Sequence, residues 1–135
     1  MSSSRHRSAA AGYSRVRSEA RTQKSTPEGL ILLVFESLMD RLTKCQGYLE
    51  QGNQSDFDRE LLKSMQLIQY GLKDSLSFKG GGEIALNLDH TYSVWMLALN
   101  FLGTSRSSER LASLIEGVRG VQEAWITAFG GAIEK

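Results

Sequence analysis

A chain of 135 residues, 41% of them apolar, suffices for one domain with a sizeable core. Its net charge of +1 hides an asymmetry: residues 1–24 carry Arg5, Arg7, Arg15, Arg17, Arg21 and Lys24 against Glu19 alone, so this segment is +5 and the remainder −4. Neither a secretory signal nor a membrane span is expected, because the N-terminus has no apolar core and Asn87, Asp89 and His90 interrupt the most hydrophobic segment.

In chain order, residues 1–24 read as a flexible basic segment too poor in apolar side chains to order itself, and residues 25–135 as the folded domain. On composition the segment also suits a nucleic-acid arm or a transit peptide. The first helix is expected from Thr26 as N-cap with Pro27 at its first position, Ser25 and Glu28 offering a rival capping box. Its inner stripe is Ile31, Phe35, Leu38, Leu42, Cys45 and Leu49, with Gly52 ending it. The single thiol, Cys45, allows no internal disulfide, suits a reducing cytoplasm and reads as core. Ser55 or Asp56 is expected to cap a second helix whose stripe is Phe57, Leu61, Met65, Ile68, Leu72 and Leu76 and which runs to about Ser77.

The glycines of "KGGGE" raise the question of a phosphate cradle. No strand precedes them, their spacing fits neither Walker A nor GxGxxG, and Glu83 puts a negative charge where an anion would bind, so they read as a permissive turn. The third helix, from Glu83 to about Leu102, has 13 apolar residues among the 19 from Ile84 to Leu102. Ile84, Leu88, Trp95, Leu99 and Leu102 share one face, while Leu86, Val94, Leu97 and Phe101, with His90 among them, line the opposite one. A helix of a four-helix bundle is never fully surrounded, so the second stripe calls for cover by the N-terminal segment, a second copy or a foreign helix. "GTSRSS" reads as the last turn, before a fourth helix from about Ser108 to Phe129 with Leu111, Ile115, Val118, Trp125 and Phe129 inward.

Four helices joined by loops of about four to six residues predict an all-α, antiparallel up-down-up-down four-helix bundle. No catalytic, cofactor-binding or metal site is expected. His6 and His90 are too few and too far apart for a zinc set, no Glu-x-x-His pair occurs, and the acidic residues scatter between the stripes.

Four pieces of sequence carry a resemblance: "GGEIALNLDHTY" at 81–92, "STPEGLILLVFESLM" at the first helix, "YSRVRSEARTQKSTP" before it, and "VQEAWITAF" at 121–129. In this order and spacing they resemble the FliS family of flagellin export chaperones. Ser37 and Trp95 depart from its pattern, standing where glycine and methionine are common. The resemblance implies a cytoplasmic protein, not an enzyme, that binds the disordered C-terminal region of flagellin without a cofactor. It would block premature polymerisation and deliver flagellin to components of the flagellar type III export apparatus. It further implies that the N-terminal segment packs on the bundle, with Tyr13 and Val16 as a plug. Leu86, His90, Tyr92, Val94, Leu97 and Phe101 are the expected partner-binding residues; a homodimer of the client-free chain stays open. The runner-up is a bundle that binds nucleic acid or a membrane surface through the +5 segment. It has charge alone in its favour, and no nucleic-acid partner or membrane insertion is expected.

Overall fold

The computed structural model describes residues 26–76 and 78–134. Its elements are α1 (Pro27–Gln51), α2 (Gln54–Gln66) continued by a π-helical segment (Leu67–Lys73), α3 (Phe78–Ser105) and α4 (Ser108–Glu134). α1 packs against α2 and α4, and α3 against the π-helical segment and α4. Successive helices are therefore neighbours around the bundle and run antiparallel, as short connections require.

Thr26 is the N-cap of α1, its hydroxyl accepting the Gly29 N–H at 3.3 Å, with Pro27 in the first turn. At the other end Gly52 takes φ 71°, and the N–H groups of Gly52 and Asn53 reach the carbonyls of Leu49 and Tyr48 at 3.2 and 2.9 Å. The N-cap of α2 is Asn53, rather than Ser55 or Asp56: its side-chain oxygen accepts the Asp56 N–H at 3.2 Å, and its amide donates to the Asp56 carboxylate at 2.6 Å. An asparagine directly after the left-handed glycine lets one helix cap follow the other, so the loop is shorter than the expected four to six residues. The turn into α4 is equally tight. α3 runs through Gly103 to Ser105, Arg106 takes φ 48°, and the Ser107 hydroxyl accepts the Arg110 N–H at 3.2 Å. The Arg106 guanidinium lies 5.3 Å from the centre of the Phe57 ring and 3.2 Å from the Asp58 carboxylate, joining this end of α3 to the start of α2.

The core follows the expected stripes. Ile31, Phe35, Leu38, Leu42 and Cys45 of α1 are buried with Phe57, Leu61, Ile68 and Leu72, and Leu49, Met65 and Leu76 pack partly buried against them. From α3 come Tyr92, Trp95, Leu99 and Leu102, and from α4 Leu111, Leu114, Ile115 and Val118, with Trp125 partly buried. The Phe129 side chain lies outside the described residues.

The second helix does not stay regular to Ser77. Its last turns widen into the π-helical segment, closed by the Asp74 N–H on the Gln69 carbonyl at 3.0 Å, five residues back. Gly71 lies within it, and a Cβ there would come 2.8 and 3.2 Å from the two γ-methyls of Val34 on α1. Val34 is β-branched and stiff at χ1, so it cannot swing aside. Gly71→Ala is therefore expected to destabilise by ~1–3 kcal/mol, and the added change Val34→Ala to relieve the clash, leaving the double variant losing less than the sum of the two single losses in denaturant melts.

Candidate protein-binding surface

Gly82, at φ 51° and ψ −127°, separates the first turn of α3 from its long straight part. Beyond this kink the helix is held inward by Ala85, Tyr92, Trp95, Leu99 and Leu102, each at most 5% exposed. Trp95 meets Phe35 edge-on at 6.4 Å and lies 5.3 Å from Tyr92. A charged clamp fixes the flank: Lys73 Nζ donates to Asp89 at 2.8 Å and to the Ser93 hydroxyl at 2.6 Å.

With that face inward, the opposite stripe points to solvent. Leu86, Val94, Leu97 and Phe101 are 61, 47, 70 and 50% exposed, and His90 stands exposed among them. From Leu86 to Phe101 this apolar row runs ~22 Å at the α-helical rise. The Arg110 guanidinium of α4 lies over the outermost ring, 4.8 Å from the centre of Phe101.

Two expectations for α3 are corrected. Tyr92, grouped with the partner-binding residues, is 1% exposed and belongs to the core. Burial raises its phenol pKa above the usual value, partly offset by a hydrogen bond from Trp125, whose indole N–H is the donor. Ile84, placed inward by periodicity, is 72% exposed. Ala85, next to it, is the residue buried at this level, and Ile84 stands at the edge of a cleft of about 210 Å³ that Pro27, Ile31, Leu76, Leu88, Tyr92 and Trp125 also line. Tyr13 and Val16 lie outside the described residues.

Sequence reasoning missed this cleft and a second, more open groove of about 560 Å³ between α3 and α4, lined by Val94, Trp95, Ala98 and Phe101 on one side and Glu109, Arg110, Ser113, Leu114 and Gly117 on the other. The readable signal for the groove was Gly117 on the α4 wall, since a glycine inside a long helix leaves a dent. Leu30, Leu62, Tyr70 and Ile126 are also 48–70% exposed, each off the stripe of its own helix.

Among the described residues no group of three His, Cys, Asp or Glu side chains is placed to hold a metal ion, and no helix is long and apolar enough to cross a membrane. Glu60, 6% exposed, accepts from Arg41 at 2.9 Å and so pins α2 to α1. Cys45, fully buried, has its thiol pushed from 9.0 up to about 12 by burial first and the Glu60 charge second, less a hydrogen bond with Ser64. Because the folded value is the higher one, this contribution to stability is complete below pH ~9 and falls as the pH rises towards 12. A disulfide reagent at pH 8 is expected to label Cys45 at the rate of unfolding rather than of free thiol; labelling at the rate of the denatured chain would contradict the burial.

The described residues thus expose an apolar row on one helix. The family model described as flagellar protein FliS matches residues 9–131, nearly the whole chain. The chain belongs to the FliS family. Its relatives within that family include the flagellar secretion chaperone FliS of Salmonella typhimurium, 29% identical over 116 residues and covering 84% of each chain. The protein of the same description from Vibrio cholerae is 25% identical over 113 residues, 84% of this chain and 82% of its own. That of Escherichia coli is 22% identical over 116 residues, covering 84% and 83%. These FliS relatives are described as flagellar secretion chaperones.

Proposed function

We propose that this chain is a cytoplasmic export chaperone that binds the disordered C-terminal region of flagellin, prevents its premature polymerisation and delivers it to the flagellar type III export apparatus. The observation that carries the reading is the outer stripe of α3, with Leu86, Val94, Leu97 and Phe101 all 47% exposed or more. An amphipathic segment that would otherwise pair with its own kind needs an apolar surface of equivalent area, and a bundle helix with two apolar faces offers one. Leu86, His90, Val94, Leu97 and Phe101 contact the client; Tyr92 acts beneath them, as a support for Trp95. The chemistry is stoichiometric binding, without catalysis or a cofactor.

Tyr13 and Val16 compete with the client for apolar surface. In support, the segment that carries them joins the bundle at Pro27, on the lip of the cleft that Leu76, Ile84 and Leu88 line. A tethered competitor acts at high effective concentration, so it sets client affinity without a second molecule.

Calorimetric titration with a peptide from the flagellin C-terminus of the same organism tests the reading. One peptide is expected per chain, with a strongly negative heat-capacity change from apolar burial and little loss of affinity between low and moderate salt. A heat-capacity change near zero, or binding that collapses with salt, overturns it.

A further inference from the structure

Trp95 is 5% exposed, and its ring is wedged between Tyr92 and Phe35. Its one polar atom, Nε1, forms no hydrogen bond among the described residues. It is not sealed in either, since the only fully buried side-chain nitrogen or oxygen there without a partner is Arg106 Nη1. The atom's position explains this. A Cβ on Gly117 would stand 3.8 Å from Trp95 Nε1, and both residues line the α3–α4 groove. The missing side chain of Gly117 therefore leaves an indole N–H open at the floor of a groove that Val94, Ala98, Phe101 and Leu114 line with apolar atoms and Glu109, Arg110 and Ser113 with polar ones.

We infer that Trp95 Nε1–H is a specificity-determining donor to the client: the segment that fills the α3–α4 groove presents a neutral side-chain oxygen, of a carboxamide or a hydroxyl, where it crosses Gly117. This rests on the client-binding reading above. While the groove is open, water satisfies the N–H. A client that brings only apolar side chains strips that water and leaves a desolvated donor, so a segment with an acceptor at this point is preferred by about tenfold or more. A carboxylate is disfavoured, because one uncharged N–H does not offset the desolvation of a full charge, and of the two charged side chains that also line the groove Glu109 repels it and Arg110 already lies over Phe101. The donor is fixed before binding, since its ring has no room to turn, and so imposes register as well as preference on the segment above it.

The test uses the full chain and the same C-terminal flagellin peptide, with its Asn, Gln, Ser and Thr residues changed to Ala one at a time. One of these changes is expected to weaken binding to the parent chain about tenfold and to Trp95→Phe by less than twofold. The NMR resonance of the Trp95 indole proton, observed in the unaltered chain, is expected to move downfield on binding the parent peptide and not the peptide so changed. Gly117→Val lays methyl groups over Nε1 from an exposed helix position, and is expected to melt no lower than the parent while binding about tenfold more weakly. Binding of the parent peptide with an unmoved Trp95 indole resonance, or with no peptide substitution coupled to Trp95, overturns this inference and leaves the client reading standing. A peptide that does not bind the parent chain overturns both.

Discussion

Leu97→Asp is expected to leave the bundle folded and to reduce affinity for the flagellin peptide a hundredfold or more. Leu97 is 70% exposed, at the middle of the outer stripe and on the side of α3 opposite Trp95 and Leu99. A carboxylate there meets water in the free chain, so the cost to stability stays within ~0.5–1 kcal/mol, as for an ordinary surface substitution. Beneath a bound apolar segment the same carboxylate is dehydrated with no cation opposite it. Arg110 of α4 is engaged over Phe101. Uncompensated burial of that kind costs several kcal/mol, and each 1.4 kcal/mol is a factor of ten. Thermal melting and peptide titration on the one variant measure both halves. If Leu97→Asp melts and binds like the parent, the stripe is not the client surface; if it fails to fold, the stripe is part of the core.

Trp95→Ala is expected to act first on the fold. Its indole is enclosed by Tyr92 at 5.3 Å and Phe35 at 6.4 Å, inside a core that has no other group large enough to take its place. Removing it leaves a cavity at the centre of α3's inner face, with an expected loss of ~3–5 kcal/mol. For a domain of this size that is a large share of a total stability of roughly 5–15 kcal/mol, and the midpoint of thermal unfolding falls by about 10 °C or more. A normal melt would mean that α3 is rotated about its axis relative to the packing described above. Thermal melting thus separates the two faces of one helix: Leu97→Asp melts close to the parent and Trp95→Ala well below it.

Much of this architecture was legible because it rests on short-range physics. Thr26-Pro27 starts a helix and Gly52 ends one by satisfying orphan backbone groups within a turn, whatever the rest of the chain does. Ile31, Phe35, Leu38, Leu42 and Cys45 recur at helical spacing because one face must leave water, and that spacing survives into the core. The two stripes of α3 could be separated for the same reason, and the outer one is exposed where the periodicity placed it.

What the tertiary structure alone decided is which neighbours each face meets and where they end. Ile84 and Trp95 share a face by angle, yet one is 72% exposed and the other 5%, and at the start of the helix it is Ala85, beside Ile84, that is buried instead. Tyr92 lies off both stripes as first drawn, and is buried because Trp95 and Trp125 close over it, a contact between residues 33 apart in sequence. Gly71 announced no widened turn; only the approach of Val34 from α1 shows why a side chain is absent there. The α3–α4 groove likewise belongs to neither helix, since Trp95 supplies its floor and Gly117 the gap above it. Periodicity assigns a face to each residue, but burial is a property of pairs of elements, and the length of overlap between two helices is not written in either one.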